Sequence, residues 1–212
     1  MARKVKESTE MMIIEDNKGD VLAEYSPKLL NTIKNTVAKN ATDEELYMFL
    51  QLSSMYDLNP FMKEIWFVKN KDGSIMIMTS RDGYRKIASK DPNFKDCRSF
   101  PVFENDTFEM EVVMGEITNV THKFTQKDRG ELVGAYAVLL THSGDRTATY
   151  VDFKEYNKNT PVWRAYPTAM ICKVAENLLL KRFANVNGIQ TVEDAPQEAQ
   201  VASEEYIDIK GE

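Results

Sequence analysis

Two short β-prone runs joined by a four-residue turn constrain the fold of this chain more than any other local feature. The runs cover residues 64–69 (Glu-Ile-Trp-Phe-Val-Lys) and residues 74–79 (Ser-Ile-Met-Ile-Met-Thr). Between them, residues 70–73 read Asn-Lys-Asp-Gly, and Asn, Asp and Gly are the residues that hairpin turns favour. Strands joined by so short a connection pair antiparallel. The sequence therefore predicts a β-hairpin here.

Further strands and helices are predicted around this hairpin. Strand-like runs follow at residues 97–104, 108–124 with a break at 115–119, 131–141 and 146–153. Helix starts are marked by Ser26 before Pro27, by a capping box from Thr42 to Glu45, and by Ser80. These helices are predicted to end near residues 39, 59 and 91, and a last helix is predicted over residues 168–184. The pattern predicts a single α+β domain, an antiparallel β-sheet with packed helices.

The chain length allows one core domain with an extension at each end. Residues 1–25 are polar and weakly patterned, and we expect a flexible N-terminal arm. Residues 26–189 contain the predicted helices and strands and form the core domain. Residues 190–212 are rich in Glu, Gln and Ala. Because this segment has too little apolar content to pack, we expect a disordered acidic tail.

The formal net charge of −6 lies entirely in the predicted tail. Residues 190–212 hold seven acidic side chains and one basic side chain, whereas residues 1–189 carry 26 of each sign. Basic residues outnumber acidic ones nine to five over residues 63–98 and six to two over residues 153–189, while residues 99–152 hold four basic and nine acidic residues. Two basic segments that fold onto one surface would create a positive field that the total charge conceals. Scattered, solvated charge is the alternative.

Motifs of cofactor chemistry are absent from the sequence. No glycine begins a phosphate-binding run that ends in Lys and Ser or Thr, so use of ATP is not expected. His122 and His142 have no second ligand at helical spacing, and Cys97 and Cys172 lack CxxC spacing. We expect no metal, no cofactor and no catalytic nucleophile. Few cysteines, and no apolar run near the ~18 residues of a membrane span, predict a cytoplasmic protein without a membrane partner.

One enzymatic alternative remains open. Asp152-Phe153-Lys154, at the end of a predicted strand, has the carboxylate-x-Lys form of some metal-dependent nucleases. In such a site the acid holds a cation and the lysine contacts water or phosphate. The second acid would be Asp145 or Glu131. Alternating exposed charge on a strand explains the same residues without any catalytic role.

An ordered set of short motifs resembles one family of phage proteins. The motifs are Leu58-Asn-Pro-Phe-Met-Lys-Glu-Ile-Trp-Phe67, Met78-Thr-Ser-Arg-Asp-Gly-Tyr-Arg85, Thr160-Pro-Val-Trp163, Pro167-Thr-Ala-Met170, Lys173-Val-Ala-Glu176 and Leu180-Lys-Arg-Phe183. They cover roughly residues 40–190, in order and at compatible spacing. The set resembles the RecT/Redβ family, the Bet-type single-strand annealing proteins.

The resemblance implies a function as well as an α+β core. Proteins of this family bind single-stranded DNA without ATP, oligomerise into rings or helical filaments, and anneal complementary strands in phage recombination. The implied protein is therefore not an enzyme, and it works in a bacterial host cell on single-stranded DNA and annealed duplex. A phage exonuclease and the host single-strand binding protein are further implied partners. A protein that coats single strands without annealing them is the remaining alternative.

The resemblance places DNA-binding cations in the last helix and around the first hairpin. Lys173, Lys181 and Arg182 are the leading candidates. A second group comprises Lys63 and Lys71 on the hairpin with Arg85 and Lys86 on the following helix, and Lys154 and Arg164 are further candidates. Trp66 and Trp163 are expected in the core, with stacking on bases as the alternative.

A polar stripe on the last helix is predicted from spacing alone. Lys173, Asn177 and Lys181 recur every four residues and so share one helix face. The alternative interpretation is that this stripe is a solvated helix face without a binding role. We interpret Glu176, which lies beside it, as an ion-pair partner and not as a catalytic group.

Overall fold

The computed structural model describes residues 25–70, 72–125 and 127–191. Its helices are α1 (Pro27–Thr36), α2 (Asp43–Tyr56), a short 3-10 helix (Pro60–Met62), α3 (Arg81–Ala88), α4 (Phe153–Tyr156), α5 (Pro161–Ala165) and α6 (Pro167–Phe183). Its strands are β1 (Ile65–Lys69), β2 (Ile75–Thr79), β3 (Phe94–Phe103), β4 (Thr107–Val113), β5 (Glu116–Lys123), β6 (Leu132–Thr141), β7 (Arg146–Asp152) and β8 (Gln190–Thr191). The predicted α+β class is confirmed.

The strands within the described residues fall into three groups. The first sheet has the order β1-β2-β8, in which β2 pairs antiparallel with β1 and parallel with β8. The second sheet has the order β3-β6-β7, with antiparallel pairing on both sides of β6. β4 and β5 form a separate two-stranded hairpin. Three of these five strand pairs, β1–β2, β4–β5 and β6–β7, join strands that follow one another in the chain, whereas β3–β6 and β2–β8 join distant ones.

Side-chain caps begin the predicted helices where the sequence marks them. The Ser26 hydroxyl accepts a hydrogen bond from the backbone N–H of Leu29 at 3.3 Å. In the capping box, Thr42 Oγ1 accepts from the Glu45 N–H at 3.2 Å, and Glu45 Oε2 accepts from the Thr42 N–H at 2.8 Å. These bonds satisfy backbone donors that a helix start leaves without partners. The helix starts at Ser26 and Thr42 are therefore confirmed.

The first hairpin and the helix after it pack closely through Gly83. β1 and β2 pair in register from Ile65 with Thr79 to Lys69 with Ile75, as predicted. Ser80 caps α3 by accepting a hydrogen bond from the Gly83 N–H at 3.0 Å. A Cβ atom at Gly83 would collide with Thr79 Oγ1 and with the Glu64 carbonyl oxygen. Glycine is required here by close packing of helix against strand.

The main core lies between α6 and one face of the second sheet. Ala135, Ala137 and Leu139 of β6 are buried in the same cluster as Val174 and Leu179 of α6. Alternate residues of a strand point to opposite faces, so Tyr136 belongs to the other face. There the Phe108 ring of the β4–β5 hairpin stacks on Tyr136 with a centroid distance of 5.3 Å. The sheet is thus covered by α6 on one side and by the hairpin on the other.

A buried charge cluster attaches the hairpin to this sheet. Arg129 Nη2 and Nε donate to the two carboxylate oxygens of Asp106 at 2.6 and 2.8 Å. His122 Nε2 lies 3.0 Å from Asp106 Oδ2, and its Nδ1 lies 3.3 Å from the Tyr136 hydroxyl. Hydrogen bonds from Arg129, and then from the Phe103 N–H and His122, hold the pKa of Asp106 well below its usual range. The Asp106 carboxylate therefore connects β3 of the second sheet, through Phe103, with β5 of the hairpin, through His122.

Several elements differ from the sequence-based expectation. The strand predicted over residues 146–153 ends at Asp152 because its carboxylate accepts the Lys154 N–H at 2.7 Å and begins α4. The short helices α4 and α5 were not predicted. Gln190 and Thr191, within the predicted tail, pair with β2. The rest of that tail and residues 1–24 of the predicted arm lie outside the described residues.

We expect Asp106→Asn to weaken the dependence of stability on acid pH. The folded pKa of Asp106 lies below its unfolded value of about 3.9. Its contribution to the free energy of unfolding is therefore fully present above about pH 5 and is lost progressively as the pH falls from there toward the folded pKa. Urea unfolding of both proteins at about pH 6 and about pH 3 measures this difference. The wild type should lose more free energy than the variant, and equal losses would contradict the assignment.

Candidate nucleic-acid interface

α6 carries the leading candidates, and the middle of this helix is buried on all sides. Its buried residues are Ile171, Val174, Ala175, Glu176, Asn177, Leu179 and Leu180. Successive residues of a helix are about 100° apart, so burial of residues 174–177 covers a complete turn. The helix therefore exposes no continuous polar face. Its cations lie in the first half of the helix, at Lys173, and in its last turn, at Lys181 and Arg182.

The predicted polar stripe is interrupted at its centre. Asn177 is completely buried, whereas Lys173 and Lys181 are half-buried. The two lysines are eight residues apart, which corresponds to about 12 Å along the helix axis. Interpretation of these three residues as a solvated helix face is therefore wrong at Asn177. Lys173 and Lys181 are therefore two separate positive charges and not parts of one continuous stripe.

Three exposed cations lie on or beside α6. Arg182 is exposed, and its Nη2 lies 3.5 Å from the carbonyl oxygen of Ala148 on β7. Lys154 and Arg164 are exposed on α4 and α5, two short helices that pack against α6. Arg164 Nη1 donates to the Asn159 carbonyl oxygen at 2.6 Å. The short helices, which sequence periodicity did not reveal, place these cations beside the central helix.

The carboxylate of the alternative nuclease motif has a structural role. Asp152 caps α4, and Lys154 lies in the first turn of that helix. Asp145 lies beyond the opposite end of β7, seven residues away, which corresponds to about 23 Å of strand. Within residues 25–70, 72–125 and 127–191, no three His, Cys, Asp or Glu side chains are grouped as a metal ion would need.

Arg85 is held by a buried carboxylate of α6. The Glu176 side chain is 6 % exposed and accepts from Arg85 Nη2 at 2.9 Å and from Arg85 Nε at 3.1 Å. Its other oxygen accepts from the Ser99 hydroxyl at 2.7 Å. Arg85 Nη2 also donates to the Cys97 carbonyl oxygen. Glu176 is thus an ion-pair partner, as expected, but its partner is Arg85 of α3 and not the lysines of α6.

The other candidates around the first hairpin have different environments. Lys86 Nζ donates to Glu64 Oε2 at 3.0 Å, so its charge is balanced within the fold. Lys63 is half-buried at the entry to β1 and has a left-handed φ of 58°. Lys71 lies outside the described residues. The structure brings Arg85 and Lys86 together on α3, each beside a carboxylate.

The two tryptophans occupy different places. Trp163 is buried in the main core, as expected. Trp66 is half-buried and packs with Val68 against Met76 and Met78, on the face of the first sheet away from that core. Its indole Nε1 is buried and has no hydrogen-bond acceptor among the described residues.

Both cysteine thiols have low nucleophilicity at neutral pH. Burial raises the pKa of the Cys97 thiol to about 12 and that of the Cys172 thiol to about 11. Thiols with such pKa values stay protonated at neutral pH and are poor nucleophiles.

Two arginines that sequence reasoning missed line a cleft of about 240 Å³ between the β4–β5 hairpin and the second sheet. Arg98 of β3 pairs with Val138, and Arg146 of β7 pairs with Leu140, so the two arginines flank β6. Arg146 lies in the acidic middle segment, where counting charge gave no reason to single it out. Val138 and Leu140 are alternate residues of β6, and alternate residues of a strand share a face. This alternation is the sequence feature that relates the two arginines.

Comparison with known proteins gives the family. The model of the RecT family matches residues 23–207, which is nearly the whole chain. This chain belongs to the RecT family. Membership implies binding of single-stranded DNA and annealing in recombination, and RecT-family proteins are annealing proteins and not classical enzymes. A search of curated proteins gives no match. None of the described helices has the length and apolar character needed to cross a bilayer.

We expect Arg85→Ala to destabilise this RecT-family chain by about 2 kcal/mol, because it leaves the buried Glu176 carboxylate without its closest cation. Adding Glu176→Gln removes the stranded charge, so the double variant should recover part of the loss. Urea unfolding measures the three free energies. Arg81→Ala is the control, since its guanidinium lies 3.9 Å from Glu176 and is about half exposed. A double variant no more stable than Arg85→Ala alone would contradict the buried ion pair.

Proposed function

We propose that this protein binds single-stranded DNA through its phosphates and anneals complementary strands in recombination without ATP. The observation that carries the proposal is the RecT-family match over residues 23–207. The sequence supports ATP independence because it has no glycine-rich phosphate-binding run. Annealing is base pairing and needs no covalent step. The protein has to gather strands, extend them and leave the base edges accessible.

Contacts to phosphates suit this task. Phosphate contacts carry no sequence information, so a surface of Lys and Arg binds any strand equally. Bases held by their backbone remain available for a complementary strand. Base-edge recognition would instead restrict annealing to particular sequences.

The proposed contacts differ in how firmly the fold holds them. Lys154, Arg164, Lys173, Lys181 and Arg182 form the group on or beside α6. Lys63, Lys71, Arg85 and Lys86 form the group around the first hairpin and α3. Arg85 and Lys86 already have carboxylate partners within the fold. A cation whose charge is already balanced by a carboxylate gains less binding free energy from a phosphate. We therefore assign most of the salt-dependent binding to the α6 group.

Partners and location follow from the same proposal. The protein would hold annealed duplex as well as single strands, and would assemble with further copies of itself as a ring or a helical filament. A phage exonuclease, which would supply single strands, and the host single-strand binding protein would be its partners. The site of action would be the cytoplasm of a bacterial host.

Replacement of Lys173, Lys181 and Arg182 together by Ala should lower affinity for single-stranded DNA by at least roughly tenfold at low salt. The six bases of residues 153–189 predict a log–log salt slope of about −4 for the wild type, and the variant should have a slope of about −2. Fluorescence anisotropy with a labelled oligonucleotide over a salt series measures both. Strand annealing should slow in parallel.

A matched control replaces Lys28, Lys123 and Lys127 by Ala, three exposed lysines outside both proposed groups of DNA contacts. It removes the same charge and should change the slope by less than about 1. An equal effect of the control and the α6 variant would mean that net charge, and not this site, governs binding. Wild-type protein that binds strands but slows annealing would indicate a passive coating protein. DNA cleavage with Mg²⁺ that Asp152→Ala abolishes would indicate the nuclease.

A chain that ends after Thr191 should bind single-stranded DNA as tightly as the full chain or more tightly. The truncation removes seven acidic side chains and one basic side chain, a net charge of −6 that competes with DNA phosphates for cations. It keeps β8, whose Thr191 is buried. Any difference should shrink at high salt, where charges are screened. Anisotropy titrations measure this, with a full-length chain whose tail acids are replaced by amides as the control. Markedly weaker binding would show that the tail contributes to the DNA complex.

A further inference from the structure

The tip of the β4–β5 hairpin exposes apolar side chains to solvent. Met114 is completely exposed, and Val112 and Val113 are 59 % and 49 % exposed. A run of three consecutive exposed apolar residues is unfavourable in water unless it has a function such as binding a partner. We call these three residues the hairpin tip.

The backbone of the hairpin tip offers no local reason for methionine. Met114 and Gly115 form a two-residue loop between Val113 and Glu116, with φ values of 52° and 84°. Loops with two left-handed residues are usually built from Asn-Gly or Asp-Gly, because other side chains are strained there. Methionine therefore accepts backbone strain and leaves its side chain in water. The fully exposed side chain of Met114 makes no contact within the fold that would compensate for this strain. The strain therefore indicates a role in contact with another molecule.

The surroundings of the tip are acidic. Glu109, Glu111 and Glu116 are all exposed on the same hairpin. This charge disfavours DNA phosphates as the partner. It favours an apolar surface bordered by cations.

A groove with that character lies between α1 and β1. It has a volume of about 480 Å³, and its apolar lining includes Val37, Phe61, Trp66 and Val68. Lys39, Lys63 and Lys69 also line it, and none of the described lining residues is acidic. Lys69 Nζ is 2.9 Å from Glu45 Oε2, so the charge of this lysine is balanced within the fold. We call this the lysine-rimmed groove.

We propose that the hairpin tip of one copy of this chain inserts into the lysine-rimmed groove of the next copy. Apolar side chains meet an apolar lining, and the glutamates of the hairpin meet the lysines of the rim. The tip and the groove are different surfaces, so each copy offers one of each. Such a head-to-tail contact extends into a filament or closes into a ring.

This inference rests on the proposed self-assembly and is independent of DNA contacts. Lys63 belongs both to the groove and to the proposed DNA-binding residues, so the test leaves Lys63 unchanged. Measurement without DNA separates failure of this inference from failure of the annealing function.

The test uses two variants that each disable one surface. The tip variant is Val112→Thr, Val113→Thr and Met114→Asn, which removes apolar surface but keeps strand propensity and improves the turn. The groove variant is Lys39→Glu with Phe61→Asp, at two exposed positions. Light scattering after size-exclusion chromatography gives the mass of each protein and of their equimolar mixture. Unfolding curves confirm that both variants are folded.

The expected result is specific to a head-to-tail contact. Wild type should form assemblies, each variant alone should be a monomer, and the mixture should form a dimer. The dimer joins the intact groove of the tip variant to the intact tip of the groove variant, and it cannot grow further. Met55→Asn, at a residue that is 62 % exposed on α2 and outside both surfaces, should assemble as wild type does.

Three results would overturn the inference. They are assembly of either variant as in the wild type, a mixture that stays monomeric, and a groove variant that loses DNA binding while its assembly is unchanged. The last result would assign the groove to single-stranded DNA. Anisotropy titrations on the same samples distinguish it.

Discussion

The burial of the middle of α6 on all sides is the packing arrangement on which the rest of this structure depends. The helix contacts β3, β6 and β7 of the second sheet and also α3, α4 and α5. A carboxylate that is buried in the middle of a helix needs partners within the fold. Glu176 obtains its partners from Arg85 of α3 and Ser99 of β3. One buried carboxylate therefore fixes the mutual position of the helix, the sheet and α3.

Charge is distributed by element in this RecT-family chain. Acidic residues concentrate in residues 99–152, which include the β4–β5 hairpin, and in the segment after Thr191. Basic residues concentrate around the first hairpin, α3 and α6. An overall acidic composition is compatible with DNA binding when the two signs are separated in this way.

Much of the fold follows from local sequence, and the arrangement of the site does not. Ser26, Thr42 and Ser80 mark helix starts through hydrogen bonds within one turn, so sequence alone reveals them. The burial of Asn177 depends on what packs over it, and the pairing of Arg85 with Glu176 joins residues 91 positions apart. Neither the burial of Asn177 nor the pairing of Arg85 with Glu176 can be predicted from the spacing of residues along one helix. The two-residue strand β8 is also too short to leave a pattern.

The position of α6 in the chain has a consequence for synthesis. β3, β6 and β7 leave the ribosome before α6, which spans Pro167–Phe183, and α6 completes the core that they share. Until then, the sheet face that receives α6 remains exposed to water. A nascent chain therefore completes its core only when most of the chain has been translated. The contacts of α6 with β3 join residues that are far apart in the sequence, and such contacts form slowly. Fragments released early would carry the hairpins without the helix that holds them in a single domain.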